Sequence, residues 1–474
     1  MSRARSRRTL VAALAPSLAA LLAAIAGGCQ SYRPDPVDVP RHHAAFLARS
    51  AQSAEVRAFA ESLAPREFEG AAFDPTDGVS CGEAELIALV FNADLGVARL
   101  RAGATKASAD NAGLWEDPTL GVDLARILDG TPHPWKAFGN LGLTIPLSGR
   151  LEAEKARATA EHAAELERLA QREWETRMEL RRAWANWSAL RVQLDATREF
   201  VGRADQVLGV VDTMERAGEM PRTEARLFRI EKAAKSADLA LLESRVREAE
   251  LGLKRIMGLA PDAPVALVAG AACEPVDRGG DLATRAQSSP VVRVALAEHE
   301  VAEKALAREI RAQYPDLELA PGFGREDDMD QVLLGLSVPL PILNANRRGI
   351  AEARAQRDIT RAGVEAALEG TIAMVRAAEE RIDAAARRRE AIEREIVPLV
   401  DAQYADAREL ASLGEVNTLV LLESLTRQHD TKRMLIEARA EESLAAIDLA
   451  EILGPPSEAA ANPPQVQASP DTSN

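Results

Sequence analysis

Aromatic residues are scarce in this chain: Phe, Trp and Tyr together make up 4% of 474 residues. Rings normally carry much of a thick core. A chain poor in them and rich in Ala, Leu, Glu and Arg points instead to long helices. A basic excess is also missing. Lys and Arg number 58 against 73 Asp and Glu, for a formal charge of −15. Binding a phosphate backbone needs the opposite balance, so the composition argues against a nucleic-acid partner. The six histidines, at 42, 43, 133, 162, 299 and 429, form no H-E-x-x-H spacing, and no G-x-S-x-G occurs. The eight methionines form no Met-rich run. The sequence therefore offers no support for an enzyme, a resident metal or a cofactor. Gly322-Phe323-Gly324 is a lone G-x-G and reads as a strand twist.

Cysteines are few: Cys29, Cys81 and Cys273. The first closes a targeting segment. Arg3, Arg5, Arg7 and Arg8 precede an apolar run of 16 residues, 10–25, then Ala26, Gly27, Gly28 and Cys29. The run is too short for a membrane span and polar, Pro-rich sequence follows it, so residues 1–28 read as a signal peptide for the ordinary export route. I-A-G-G-C resembles a bacterial lipobox, which would make Cys29 the lipidated residue; simple cleavage is the alternative. Gln30, where an Asp would favour the inner membrane, leaves the outer membrane open. Residues 29–80 read as a lipid-anchored strap with helical pieces, and the Pro-, Ala- and Ser-rich residues 456–474 as a disordered tail. Export places Cys81 and Cys273 in an oxidising compartment, where they either pair or stay as two independent buried thiols.

The chain repeats itself. L-G-L-T-I-P-L at 141–147 returns as L-G-L-S-V-P-L at 334–340, 193 residues on. Asn92 and Ser289, and Pro118 and Pro315, are 197 apart; Gly218 and Gly414, Gly258 and Gly454, and the helix disruptors Gly202 and Pro398 are 196 apart. This makes two tandem repeats, 81–272 and 273–455. Each reads as helix, two strands, long helix, break, long helix. Alternating apolar residues predict strands at 118–128, 137–147, 317–323 and 331–340, with loops at 129–134 and 325–330. The longer strands have about the ten residues that a tilted membrane strand requires. Residues 151–215 predict an unbroken helix, returning over 221–257; the second outgoing arm, 349–412, carries Pro398 as a kink. Leu368, Ile372, Val375, Ala378, Ile382 and Ala385 suit a coiled-coil seam. Trp174, Trp184 and Trp187 fall near helical spacing and read as bundle packing. Pro146 and Pro339 lack an N–H, end strand pairing and mark the strand-to-helix joints, which Gly149, Asn344, Asn346 and Gly349 soften. Four strands cannot close a barrel, since about eight is the minimum, so membrane strands would have to come from several copies.

The signal with its lipobox cysteine, the two repeats, the stretch L-S-V-P-L-P-I-L-N-A-N-R-R-G-I-A-E-A-R-A and the final G-E-V-N-T-L-V-L-L-E-S resemble the TolC family of outer-membrane efflux proteins, over about residues 80–455. The P-L-P-I-L-N-A-N-R-R-G form is most like its lipoprotein and heavy-metal-efflux branches. The resemblance implies a mainly α fold with a small β part, and a homotrimer with a shared 12-stranded barrel over an α-helical tunnel. It also implies a passive exit duct in a lipid-anchored outer-membrane position, docked to a periplasmic adaptor and an inner-membrane pump. Gly218 and Gly414 would then mark the hairpin tips where the adaptor docks. Members often carry Asp six and nine residues after the second tip glycine; here those positions are Val420 and Glu423. Glu224 lies six after Gly218. Glu423 and Glu224 are thus the candidate gate carboxylates, with ordinary exposed helix carboxylates as the alternative. A second function stays open: a lipid-anchored periplasmic coiled-coil adaptor or scaffold without a pore.

Overall fold

The structure, a computed structural model, describes residues 32–62, 73–126, 128, 135–270, 281–326, 329–412 and 418–455. The signal peptide, Cys29, Cys273, Gly414 and the C-terminal tail lie outside them. The chain divides into two units, residues 1–48 and 49–474. The described part of the first is one short helix, α1 (Val39–Leu47), opened by the Asp38 carboxylate, which accepts from the Arg41 amide at 2.9 Å.

The second unit holds all other elements. Helices α2 (Ala54–Ser62), α3 (Cys81–Phe91) and α4 (Ala93–Asp110) precede strands β1 (Thr119–Arg126) and β2 (Trp135–Ile145). Two long helices follow, α5 (Arg150–Ala217) and α6 (Arg222–Ile256). The second half opens with α7 (Leu282–Gln287) and α8 (Pro290–Arg311), then β3 (Leu317–Glu326) and β4 (Met329–Ser337). It ends with α9 (Arg347–Ala391), a π-helical turn (Ile392–Ile396), α10 (Val397–Ser412) and α11 (Thr418–Leu453). The duplicated order expected from the sequence is present in both halves.

Local chemistry explains the boundaries. Ser80 and Glu83 form a capping box that starts α3. Asn92 caps α4 by accepting from the Asp94 and Leu95 amides. The 68 residues of α5 contain no proline and span about 100 Å at 1.5 Å per residue. This helix runs straight through Gly202, a residue expected to disrupt it; neighbouring turns and the packing of Phe200 and Ala204 outweigh one glycine's propensity cost of about 1 kcal/mol. Pro398 does disturb its helix. It has no N–H for the Arg394 carbonyl, and the chain answers just upstream with the π-turn, where the Val397 amide donates to Ile392, five residues back.

Packing follows the duplication. In the bundle α5 touches α6 on one side and α11 on another, and α11 touches α9 and α10, while α8 lies against both α5 and α9. The seam read from sequence is used: Val375, Ala378 and Ile382 are buried with Leu449 of α11, and Ala385 is buried one turn on. Trp184 and Trp187 meet edge to face at 5.3 Å in the interior. Trp187 Nε1 donates to Glu250 Oε1 at 3.2 Å, and Trp174 Nε1 to the Ala450 carbonyl at 3.1 Å. All three tryptophans pack in the bundle, as expected. Cys81 is buried in the first turn of α3.

The two halves also close alike. Gly258 and Gly454 end α6 and α11 with φ of +69° and +81°. A Cβ on Gly258 would collide with the Phe91 carbonyl, and one on Gly454 would sit 2.7 Å from Pro290 Cδ. Each returning helix therefore docks on the start of its own half's short helix, at positions already matched by the sequence repeat.

Candidate pore surfaces and gate

The four strands form one antiparallel sheet in the order β1-β2-β3-β4. Among the described residues, neither β1 nor β4 has a partner on its outer edge. Side chains alternate across a strand, and registered partners share a face. Leu120 pairs with Leu141 and Val122 with Gly139, while Ile145 faces Leu317 and Leu143 faces Leu319. Leu319 then faces Leu336, Pro321 faces Leu334, and Phe323 faces Val332. One face is thus apolar except at its hairpin end, where Arg126, Arg325 and Asp330 stand, and it is open: Val332 is 85% and Leu334 76% exposed. The other face carries Asp123, Lys136, Asn140, Thr144, Glu318, Glu326, Gln331 and Ser337. Lys136 and Glu326 form an ion pair across β2 and β3 on that side. Its glycines make room for larger neighbours: a Cβ on Gly324 would strike the Phe138 ring, and one on Gly121 the Asn140 amide.

Asp123 and Asn140, polar residues within membrane-length strands, therefore fall on the polar face. Arg126 is on the apolar side but at its end, 5.6 Å from the ring of its register partner Trp135. Trp115 and Tyr314, both exposed, precede β1 and β3 at the opposite end. Aromatics at both ends of an apolar band are the pattern of a membrane-spanning sheet. The strand ends depart from the sequence reading: β2 runs over 135–145 where 137–147 was expected, β4 stops at Ser337 and not at 340, and the hairpin between β3 and β4 is tighter. Residues 325–330 were expected as an acidic loop, yet β3 runs to Glu326 and β4 begins at Met329, with Arg325 opposite Asp330 at 3.7 Å. Cross-strand charge pairing there offsets the loop-like composition.

The joints are held by side chains that no motif advertised. β2 ends at Ile145, directly before Pro146; β4 ends at Ser337, two residues before Pro339. After Pro146, Gly149 adopts φ +70° and α5 begins. Arg150 is gripped by Asp316 at 2.6 Å, from the residue before β3, and by Glu116 at 2.5 Å, from just before β1. Asp316 Oδ1 also accepts from the Ser148 amide at 3.2 Å. Burial opposes ionisation of Asp316, but the hydrogen bonds from Arg150 and Ser148 outweigh it and hold its carboxyl below the usual range. At the second joint Ala345 and Asn346 both take positive φ, and the Asn346 amide donates to the Glu309 carbonyl at 2.9 Å and to its carboxylate at 2.7 Å.

At the far end of the bundle, Gly218 closes α5. Its amide donates to Glu215 and that of Glu219 to Met214, a Schellman stop. Met220, Ala225, Phe228 and Val211 pack beneath it, with Leu422 of α11 against them. Glu224 lies half-buried in the first turn of α6, where a helix N-terminus favours negative charge. Glu423 is exposed on α11 and paired with Arg427 at 3.0 Å. Among the described residues no hydrogen bond or ion pair links Glu224 to Glu423. The sequence reading missed Arg427, although its i,i+4 spacing from Glu423 was legible. No group of three His, Cys, Asp or Glu side chains suited to a metal occurs among the described residues, and none of their helices is long and apolar enough to cross a membrane.

Residues 87–259 match the family model for outer membrane efflux proteins. The matched stretch starts within α3, includes β1, β2 and the first helical hairpin, and ends just past Gly258. The fold extends further. CusC, described in terms of transmembrane channel formation, has a TM-score of 0.67 at 16% identity over 90% of this chain and 100% of its own. The outer-membrane channel OprN gives 0.68 at 18% identity over 90% and 98%. The outer membrane protein VceC from Vibrio cholerae gives 0.66 at 15% identity over 79% and 96%. At these identities the TM-scores show a shared fold alone, mainly helical with a small antiparallel sheet. Comparison with curated proteins finds no match.

Proposed function

We propose that this chain is the outer-membrane duct of an efflux system, passing small molecules or metal ions delivered by a pump. One observation carries the reading: a sheet with one apolar face, one polar face and two open edges. Among the described residues, nothing covers an apolar band of this extent. Its edges need partners wherever water is absent. Joining β4 of one copy to β1 of the next satisfies both demands. Two copies would give about eight strands, an interior that side chains fill; three give about twelve and an open lumen. The homotrimer is therefore the assembly that conducts, with Leu334 and its face toward lipid and Asp123, Asn140 and Glu318 toward water.

Beneath the barrel, the hairpins α5/α6 and α9–α10/α11 of three copies form the periplasmic tunnel. Gly218 and Gly414 are assigned to its tips, where an adaptor bound to an inner-membrane pump docks. Glu423 and Glu224 are assigned to its entrance. Cys29 is assigned as the lipid anchor, and residues 29–80 as the strap that follows it. The adaptor or scaffold reading has less support, since a periplasmic scaffold has no use for an exposed apolar sheet face. Planar-bilayer recording of the purified protein, with its mass in detergent, tests the proposal. Stable conductance from a trimer is expected. A monomer without conductance overturns it.

A further inference from the structure

The two joints differ in length. Four residues, 146–149, separate β2 from α5, but nine, 338–346, separate β4 from α9. The longer joint carries Leu340, Ile342 and Leu343, which are 74%, 77% and 89% exposed. It is not slack. The Ile342 amide donates to the Leu340 carbonyl at 2.9 Å, the Arg347 amide donates to Asn344 at 3.0 Å, and Asn346 is tied to Glu309. Three apolar side chains are thus held outward by a folded loop with both ends fixed. In sequence Leu340 continues the alternation of Val332, Leu334, Leu336 and Val338, and like each of them it is exposed. Arg347 and Arg348 follow directly, both exposed, in a chain whose overall balance is strongly acidic. Arg348 shares its charge with Glu352 at 2.8 Å.

We infer that residues 340–343 are an interfacial foot set in the inner leaflet of the membrane the barrel spans, with anionic phospholipid as the partner. The inference rests on the lipid-facing reading of the sheet. Leu340, Ile342 and Leu343 enter the acyl boundary, while Arg347 and Arg348 reach the phosphate layer just below. Lipid fits this surface better than a second copy. The patch is continuous with a face that already needs lipid, and a cation pair immediately behind an apolar tip matches the change from acyl chain to headgroup.

The test is Leu343→Trp in the full chain, reconstituted into phosphatidylcholine–phosphatidylglycerol vesicles and compared with the unmodified protein. Ile342→Trp serves as a second reporter. Leu343 is almost fully exposed, so the larger ring meets no wall among the described residues. Acyl chains brominated near the headgroup should remove most of the added emission, and aqueous iodide should leave it. Quenching by iodide, or shielding from both quenchers as a second copy would give, overturns the foot. Conductance recorded on the same preparation scores the duct separately. Conduction without lipid quenching rejects the foot alone. Lipid quenching without conduction supports the foot as an anchor and counts against the duct.

Discussion

Leu334→Arg, paired with Leu333→Arg on the same strand, tests the two-faced sheet directly. The two positions are adjacent, so their side chains point to opposite faces. Leu334 lies on the apolar face opposite Pro321, and Leu333 on the polar face opposite Gly322. A strand tilted by about 40° rises roughly 2.5 Å per residue, which puts Leu334 about 12 Å from the level of Met329 and about 8 Å from that of Ser337. That is close to the bilayer midplane. An Arg there costs about 2–4 kcal/mol per copy, and roughly three times that in a three-copy barrel. Leu333→Arg faces water and should cost under about 1 kcal/mol while lowering conductance. The assay is urea unfolding of vesicle-inserted protein, followed by tryptophan emission, with single-channel recording alongside. If the sheet instead stood in water, Leu334 would already be a solvated surface residue, and either change would stay within about 0.5 kcal/mol. Equal costs at the two positions, or a larger cost at Leu333, refute the assignment of faces.

Other perturbations separate structural from gating roles. Gly258→Ala should lower stability by more than about 2 kcal/mol, because left-handed strain of about 1–2 kcal/mol adds to the collision with Phe91; Gly218→Ala, with open space around it, should lose only the strain. Thermal melts of the two variants check the order. Asp316→Asn should cost about 1.5–3 kcal/mol at neutral pH through the lost charged hydrogen bonds. Because the folded carboxyl titrates below its unfolded value of about 3.9, that stabilisation is present above the unfolded value and is lost as pH falls through the folded one. Melting curves of Asp316→Asn and the unmodified protein should therefore converge in acid; divergence there would assign the effect to packing. Arg427→Ala frees Glu423 from its ion pair and should raise cation over anion permeability by about twofold, read from the reversal potential. An unchanged reversal potential would remove Glu423 from the conducting path.

Periodicity made much of the fold legible. The alternation in Val332, Leu334 and Leu336 placed a strand, and the Val375–Ile382 spacing placed a buried seam, because each depends on local geometry alone. The Pro398 disturbance was legible for the same reason: a missing N–H has a consequence within one turn. Gly202 misled because a single propensity is weak against the packing of a long helix. The loop at 325–330 misled because Arg325 and Asp330 are polar residues that pair with each other across strands. The Asp316–Arg150–Glu116 clamp could not be read at all, since its members are brought together by the sheet and not by spacing. Arg427 is readable beside Glu423 from its i,i+4 spacing alone.

If three copies assemble as proposed, the repeated proline joint has a mechanical reason. Twelve tilted strands about 4.8 Å apart close at a radius of roughly 12 Å. Twelve helices in a ring, spaced by 8–10 Å, need roughly 15–19 Å. Each chain must therefore step outward by several ångströms where sheet becomes bundle, and it must do so twice. A continuous strand or helix cannot make that step. Pro146 with Gly149, and Pro339 with Ala345 and Asn346, each stop pairing and turn the backbone through a left-handed residue before the next helix starts. The clamps then fix the new direction: Asp316 and Glu116 on Arg150 at one joint, Glu309 on Asn346 at the other. Both acidic partners at the first joint come from residues just before strands, so each grip ties a descending connection to an ascending one. The duplicated phrase marks the two places where one spacing gives way to another.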